Sequence, residues 1–234
     1  MGGRKDRSRE PLSAVTEFLP RVPYFAGLTH SEIQSVSAFV FERSAERGTS
    51  LVLEGSPGEA LFLVARGAVK CFKTSPEGKE QITRIVFPWD SFNDVAVFDG
   101  GLSPEAAEAM TPVMVYGISR SNMERILIEH PLVLLNAMKV LSVRIRHALL
   151  LVEDLSFRHV INRIARVLLD YAGDGSGPRP RLTQQEIASI VGTAREVVGR
   201  SLKMLQEEGI IRMERNRLVI VNKEGLKQMA GSSG

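Results

Sequence analysis

An unbroken heptad pattern is the feature that most constrains how this 234-residue chain can fold. Apolar residues recur in alternating steps of four and three at Leu134, Met138, Leu141, Ile145, Ala148, Val152 and Leu155. This spacing is typical of the seam of a coiled coil. We therefore predict a long helix over residues 131–155 that pairs with a second copy of the chain. A helix packed only on its own chain is the alternative, and flanking apolar residues such as Leu135 and Leu149 would allow both contacts.

The preceding segment, from about residue 41 to 118, has a different pattern. Short runs rich in Val, Ile and Phe end at Gly, Pro or Asp about every ten residues, as in TSLVLEG, EALFLVARG, AVKCFKTSPEG, QITRIVFPWD and PVMVYGIS. Such spacing predicts an all-β sandwich or barrel. Ser or Thr followed three residues later by Glu predicts a helix start on either side of it, at Thr29–Glu32 and at Ser121–Glu124.

The stretch LTQQEIASIVGTAREVVGRSLKMLQEEG predicts two short helices joined by a tight turn. Capping boxes at Thr183–Glu186 and Thr193–Glu196 would begin the helices, and Gly192 would supply the turn between them. An amphipathic helix in LSFRHVINRIARVLLDYA and the loop GDGSGPRPR precede this pair, and IIRMERNRLVIV follows it as two strands around a polar turn. The pattern is that of a winged helix-turn-helix.

The second of these helices separates apolar from charged residues. Val198, Leu202 and Leu205 would face the core, whereas Arg195 lies at the N-terminal end of the helix, where recognition helices contact bases. Arginine can donate to guanine, and glutamate can accept from cytosine. The alternative is an ordinary exposed face, on which Glu196 completes a capping box and pairs with Arg200. We predict DNA contacts at Thr183, Gln185, Arg195, Glu196, Arg200, Lys203, Arg215 and Arg217.

The distribution of charge supports a polyanionic partner for the C-terminal third. Residues 156–234 hold 13 Lys and Arg against 8 Asp and Glu, whereas residues 1–155 hold 17 against 19. The sequence MGGRKDRSRE lacks an apolar signal core, and no apolar run approaches the length of a membrane helix, so we expect a cytoplasmic protein with no membrane partner.

The cysteine and histidine content argues against an enzyme. A single cysteine, Cys71, excludes an intrachain disulfide and an iron–sulfur cluster, and the four histidines are scattered, so we predict no metal site. A cupin-like enzyme would also suit this β pattern, because cupins are double-sheet β folds, but it needs clustered histidines, and residues 41–118 contain none. We therefore expect neither catalytic residues nor enzymatic activity.

QEIASIVGTAREVVGRSLKMLQEEGII resembles the DNA-binding segment of the CRP/FNR family of bacterial transcription regulators, and LFLVARGAVK resembles their cyclic-nucleotide-binding jelly roll. The resemblance spans nearly the whole chain. It implies an α+β fold with a jelly-roll sensor (1–130), a dimerisation helix (131–155) and a winged helix-turn-helix (156–234). It also implies a homodimer on a palindromic DNA site, RNA polymerase as a partner, and Arg195, Glu196 and Arg200 as readers of half-sites of the TGTGA type. Ala194 and Val197 depart from the family, which has hydroxyl residues there.

The resemblance also bears on the effector. Members that bind cyclic AMP have a Gly-Glu pair for the ribose and an Arg-Ser pair for the phosphate. The effector-pocket candidates at these positions are Asn93, Asp94, Pro104 and Glu105. A phosphate would meet a carboxylate instead of a guanidinium, so we predict that cyclic AMP is not the effector. Haem-binding members use His, Cys or an N-terminal proline, so haem with CO or NO stays open, as do an unidentified small molecule and a factor with no ligand.

Overall fold

The computed structural model describes residues 9–157, 159–171, 182–214 and 217–231. The chain forms two compact units. The first contains the chain up to Lys73 together with Ile85–Arg146, and the second contains Thr74–Arg84 together with the chain from His147 onward.

The first unit begins with helices that cover one face of its β structure. Helix α1 (Arg9–Phe18) leads through two 3-10 turns, Leu19–Arg21 and Pro23–Phe25, to α2 (His30–Ser37). The predicted capping box at the start of α2 is confirmed: the Thr29 amide donates to Glu32 Oε2 at 2.7 Å, and the Glu32 amide donates to Thr29 Oγ1 at 3.4 Å. Hydrogen bonds from the Thr29 backbone and side chain lower the pKa of the Glu32 carboxyl.

The predicted β structure is a two-sheet jelly roll. The strands are β1 (Val40–Ala45), β2 (Ser50–Val52), β3 (Ala60–Arg66), β4 (Val69–Thr74), β5 (Glu80–Val86), β6 (Ser91–Phe92), β7 (Ala106–Ala109) and β8 (Val113–Ser119). One sheet has the order β1-β8-β3-β6, and the other has the order β2-β7-β4-β5. Helix α3 (Asp94–Asp99) lies between β6 and β7.

Strand β3 shows why this sequence forms a sheet that is buried on both faces. Side chains alternate along a strand, so Leu61 and Leu63 pack among the N-terminal helices, whereas Phe62 and Val64 pack between the sheets. Phe62 stacks on Phe92 with ring centroids 5.1 Å apart. The run is continuously apolar because both of its faces are covered.

Two helices follow the roll, α4 (Arg120–Glu129) and α5 (Pro131–Phe157). The predicted capping box at Ser121–Glu124 is wrong. Strand β8 extends to Ser119, and that residue is itself the N-cap, accepting from the Asn122 amide at 3.3 Å. Glu124 is therefore one turn into the helix, where it pairs with Arg120 at 2.9 Å.

The predicted long helix is present as α5, which has 27 residues. One side of its N-terminal part lies in the core of the first unit, where Val133 and Ala137 are buried. The buried Asn136 side chain donates to the carbonyl oxygens of Tyr24 and Ala26, at 3.2 and 2.9 Å. These bonds satisfy carbonyl groups of the irregular segment that follows α1.

The second unit contains the predicted winged helix-turn-helix. Its elements are α6 (Val160–Tyr171), α7 (Gln184–Val191), α8 (Arg195–Glu207), β9 (Ile211–Glu214), β10 (Arg217–Ile220) and α9 (Lys223–Met229). The strands pair antiparallel, with Ile220 opposite Ile211. Helix α9 was not predicted from the sequence. Its N-cap is Asn222, whose side chain accepts from the Gly225 amide at 2.8 Å. The predicted loop at 173–181 lies outside the described residues.

In the described parts of the chain, no single helix combines the length and hydropathy needed to cross a membrane. Helix α4 and the Pro131–Glu153 part of α5 reach that hydropathy only as a pair, and the pair is bent by 115°.

A buried ion pair joins α3 to α5 within the first unit. Asp94, which is 2% exposed, pairs with Arg144 of α5 and accepts from the Tyr24 hydroxyl at 2.9 Å. The Arg144 guanidinium also donates to the side chain and the carbonyl of Ser91, at 2.8 and 2.9 Å. A carboxylate this deeply buried needs such partners to remain charged.

We therefore expect Arg144→Leu to lower the free energy of unfolding by about 3–5 kcal/mol, because it leaves a buried carboxylate without its cation. The matched variant Asp94→Asn with Arg144→Leu should lose clearly less, since no charge is then buried. Urea denaturation followed by circular dichroism measures both variants. Equal losses in the two variants would contradict the assigned ion pair.

Candidate nucleic-acid interface and effector site

The turn between α7 and α8 is built from local hydrogen bonds and one glycine. The predicted capping box begins α7, with the Glu186 amide donating to Thr183 Oγ1 at 3.1 Å and the Thr183 amide donating to Glu186 Oε2 at 2.6 Å. Gly192 ends the helix in the left-handed region (φ 69°, ψ 46°), where a Cβ would lie 2.9 Å from Leu155 Cδ2. Glycine is therefore favoured at this turn by both conformation and space.

The start of α8 differs from the prediction. The N-cap is Ala194, which makes no side-chain cap hydrogen bond, so the predicted capping box at Thr193–Glu196 is wrong. Thr193 belongs to the turn instead, because its amide donates to the Ala188 carbonyl at 3.0 Å. As a result, Glu196 lies one position too early to close a capping box, and its carboxylate is not used to start the helix.

Helix α8 presents one buried and one charged face. Val198, Leu202 and Leu205 are buried, as predicted. Arg195, Glu196 and Arg200 are exposed, and within the described residues none of their side chains forms a hydrogen bond or an ion pair. The pair between Glu196 and Arg200 considered above is therefore not formed. The face holds two guanidinium groups and one carboxylate that are open to an external partner.

The other predicted DNA-contact residues differ in how far their side chains are free to contact DNA. Gln185 is exposed on the first turn of α7, and Lys203 on α8 lies 3.8 Å from Glu207. The Thr183 hydroxyl is already an acceptor in the capping box. In the wing, Arg217 is the first residue of β10, and Arg215 lies outside the described residues.

Arg163 supports the helix-turn-helix from α6, a role that the sequence analysis did not predict. Its Nε donates to the carbonyl of Val191, the last residue of α7, at 2.9 Å. A cation at a helix C-terminus is favourable because the last carbonyl groups have no partner within the helix. Arg163 thus stabilises the end of α7 immediately before the turn.

Three of the four predicted effector residues, Asn93, Asp94 and Pro104, make contacts within the first unit. Asn93 (φ 63°) donates to the Ala60 carbonyl at 2.9 Å and accepts from the Ser103 hydroxyl at 2.7 Å. Asp94 is held in the buried network with Arg144. The carbonyl of Pro104 accepts from Lys73 Nζ at 2.8 Å, and Glu105 is half-buried just before β7.

Arg144 of α5 pairs with Asp94, the residue that the resemblance to the family aligns with the ribose position. Arg144 lies 50 residues beyond Asp94 in the chain, so no local spacing predicts this pair. The Asp94 carboxylate is therefore engaged by the protein's own arginine.

A cavity of about 530 Å³ lies in the first unit, and Asn93 is among its lining residues. Its lining contains no His, Cys or Met, so it offers no side chain of the kinds that usually ligate haem iron. Cys71 is buried between the sheets, and His130 lies 3.8 Å from Glu32. Across the described ranges, no three His, Cys, Asp or Glu side chains are placed to hold a metal ion.

The predicted dimer seam is an exposed apolar stripe on α5. Leu134 is 48% exposed, and Met138, Ile145 and Val152 are each 61% exposed, while Ala148 is also exposed and Leu141 is half-buried. Neighbouring Leu135, Leu149 and Leu150 are likewise at least 50% exposed. A single chain thus leaves a long row of large apolar side chains in water.

Comparisons with known proteins agree with this architecture. The family model of the cyclic nucleotide-binding domain matches residues 42–130, and that of the Crp-like helix-turn-helix domain matches residues 162–229. The cyclic AMP receptor protein of Thermus thermophilus is 32% identical over 191 residues, covering 82% of this chain and 88% of that protein. The CRP-like cAMP-activated global transcriptional regulator of Mycobacterium tuberculosis is 31% identical over 223 residues, covering 92% of this chain and all of that protein.

Among solved structures, FixK2 from Bradyrhizobium japonicum matches with a TM-score of 0.73 and 24% identity, over 83% of this chain and 99% of that one. This match supports the fold, and the predicted order of jelly roll, long helix and winged helix-turn-helix is confirmed. With two domain models in family order and full-length relatives above 30% identity, the chain belongs to the CRP/FNR family of DNA-binding transcription regulators.

Proposed function

We propose that this regulator is a homodimer that reads a two-fold-symmetric DNA site and responds to a small molecule that is not a cyclic nucleotide. Residues 1–130 would sense the signal, 131–155 would dimerise, and 156–234 would bind DNA, with RNA polymerase as a further partner. The observation that carries the DNA-reading role is the charged face of α8. Its Arg195, Glu196 and Arg200 side chains are exposed and have no partner in the described residues.

The geometry of α8 suits base reading. Arg195 and Glu196 are the first two residues of the helix, and Arg200 follows one turn after Glu196 on a neighbouring part of the surface. The arginines can each donate two hydrogen bonds to a guanine, and the glutamate can accept from a cytosine amino group. Half-sites of the TGTGA type fit this trio. Lys203 and the wing arginines would contact phosphates, which hold the protein in register without reading sequence.

Arg195→Ala and Arg200→Ala should each weaken binding to a TGTGA palindrome by about 1–3 kcal/mol and relax the preference at one base pair. Fluorescence anisotropy at one fixed salt concentration, with the palindrome and with duplexes changed at single positions, measures both effects. Lys203→Ala is the matched control, because loss of a phosphate contact weakens all of these duplexes equally. An Arg195→Ala protein with unchanged base preference would contradict the assignment.

Dimerisation is proposed from the stripe on α5. Burial of a large apolar side chain contributes about 1.5–3 kcal/mol, so covering several residues of this stripe would give a stable interface. The stripe has heptad spacing, which lets an identical helix cover it along its length. A two-fold-symmetric dimer in turn requires operator half-sites about one helical turn, roughly 34 Å, apart.

The double variant Met138→Glu with Ile145→Glu should be monomeric and should lose affinity for the palindrome. Both residues are 61% exposed in the single chain, so the change does not disturb the chain's own core. Lys139→Glu, at an exposed polar position of the same helix, is the matched control and should stay dimeric. Sedimentation equilibrium measures the mass. A stable dimer of the double variant would count against this interface.

The effector proposal differs from the names of the two relatives, which refer to cyclic AMP. At the phosphate-type position this chain has Pro104 and Glu105, and at the ribose-type position Asp94 is paired with Arg144. A cyclic phosphate near Glu105 would meet a like charge, and Lys73, whose Nζ donates to the Pro104 carbonyl, is already paired with Glu54 at 2.8 Å. A buried phosphate that lacks a cation of its own costs several kcal/mol, enough to abolish micromolar affinity.

Titration calorimetry with cyclic AMP and with cyclic GMP should therefore show no micromolar binding, and neither nucleotide should raise affinity for the palindrome. The variant Pro104→Arg with Glu105→Ser introduces the pair that the family uses for the phosphate. We expect it to bind cyclic AMP at least tenfold more tightly than the unmodified protein. Micromolar binding by the unmodified protein, coupled to tighter DNA binding, would overturn the effector proposal.

A further inference from the structure

The cavity in the first unit lies beside the edge strands β1 and β2, which end their respective sheets. Its volume of about 530 Å³ is within the range of small-molecule sites. Much of the wall is apolar and comes from Phe41, Leu51, Val52 and Phe62. No local sequence pattern predicts this cavity, because the residues that line it are spread over four elements and the loops between them.

The aromatic part of the wall depends on a glycine, which leaves room for the Phe41 ring. Phe41 of β1 covers Gly117 of β8, where a Cβ would overlap its ring. The same ring meets Phe62 edge-on, with centroids 6.2 Å apart. Phe41 nevertheless remains 44% exposed, so its uncovered surface is available to an apolar ligand.

Arg43 supplies a positive charge at one end of the cavity. It follows Phe41 by two residues on β1 and therefore faces the same side of the sheet. Its Nη1 donates to the Leu51 carbonyl at 3.3 Å, and it forms no ion pair within the described residues. That single bond orients the guanidinium and leaves its other donors open.

Glu59 supplies a negative charge at the other end. It lies immediately before β3, and among the residues that the structure describes its carboxylate has no partner. Along the shared neighbour β8, Arg43 is opposite Val115 and Ala60 is opposite Ser119. Four residues of a strand span about 13 Å, so the two charges enter the cavity from well-separated positions.

The other polar groups of the lining are already engaged. Asn93 uses both its amide nitrogen and its oxygen, Ser56 Oγ donates to the Leu53 carbonyl at 2.7 Å, and Ser119 Oγ accepts from the Asn122 amide. Arg43 and Glu59 are thus the strong polar groups that remain for a ligand.

We propose that this cavity binds an elongated small molecule with an apolar body, a carboxylate at one end and a hydrogen-bond donor such as an ammonium at the other. The carboxylate would bind Arg43, the donor would bind Glu59, and the body would lie against Phe41 and Phe62. An α-amino acid carries both charges on one carbon and could not reach both groups. The proposal rests on the proposed response to a small molecule and adds a site and a ligand class to it. Its test measures ligand binding alone, so its outcome is separate from that of the DNA-binding proposal.

The test is titration calorimetry of the full chain with three probes of equal chain length: 8-aminooctanoate, octanoate and octylamine. We expect saturable binding of 8-aminooctanoate, with at least tenfold weaker binding of each probe that lacks one charged end. Arg43→Gln should weaken 8-aminooctanoate and octanoate at least tenfold and leave octylamine unchanged. Glu59→Gln should weaken 8-aminooctanoate and octylamine and leave octanoate no weaker.

Arg66→Gln is the matched control, because Arg66 is exposed on β3 and does not line the cavity, so all three affinities should be unchanged. Circular dichroism confirms that each variant is folded before titration. No saturable binding of 8-aminooctanoate by the folded, unmodified protein would overturn the proposal. So would an Arg43→Gln protein that binds octanoate as tightly as the unmodified protein does.

Discussion

Burial of the apolar stripe on α5 is the physical requirement on which the proposed mechanism depends. One side of the helix is already used, since Val133 and Ala137 lie in the core of the first unit. Residues such as Met138, Ile145 and Val152 on its remaining surface are mostly exposed in a single chain. Monomeric proteins seldom leave so long an apolar row in water. If a second copy covers it, the two α8 helices of the dimer are related by two-fold symmetry, and a DNA site that binds both of them is palindromic.

Helix α5 also supplies Arg144, the cation that pairs with the Asp94 carboxylate. Arg144 and Asp94 form a buried pair, so this part of the jelly roll is held together by the protein's own charges. The side chains of Arg43 and Glu59, by contrast, make no ion pair in the described parts of the chain. Polar groups within this unit thus differ in whether the protein itself pairs them, and the fold alone does not identify an effector. Because α5 contributes residues to both units, a ligand that changes the first unit has a direct covalent path to the second.

The fold could be predicted in large part because its signals are local and repeated. The β pattern of residues 41–118, the heptads and the Thr183 and Gly192 signals each depend on residues that are close in sequence. Two predicted helix starts were wrong, those of α4 and α8, and in each case the predicted hydroxyl residue is not the N-cap. Ser119 rather than Ser121 caps α4, because β8 ends at Ser119 and the helix begins at the next residue. At α8, the Thr193 amide bonds to the Ala188 carbonyl within the turn, so Ala194 is the N-cap.

The contacts that could not be predicted join residues that are far apart in the sequence. Arg144 reaches Asp94, Arg163 reaches the end of α7, and Arg43 and Glu59 share a cavity through the register of β1, β8 and β3. Their positions depend on strand order and on helix packing, which no local spacing encodes. The positions of the trio on α8 could be predicted, whereas its lack of side-chain partners among the described residues could not.

The stoichiometry of the DNA complex tests the central claim most directly. Native mass spectrometry of the full chain with a duplex carrying two TGTGA half-sites about one helical turn apart counts the chains bound. We predict two chains on each palindromic duplex, with no stable complex of one chain. A duplex with a single half-site should bind far more weakly. A stable complex of one chain per duplex, equally tight on one half-site and on two, would contradict a regulator whose recognition helices act as a symmetric pair.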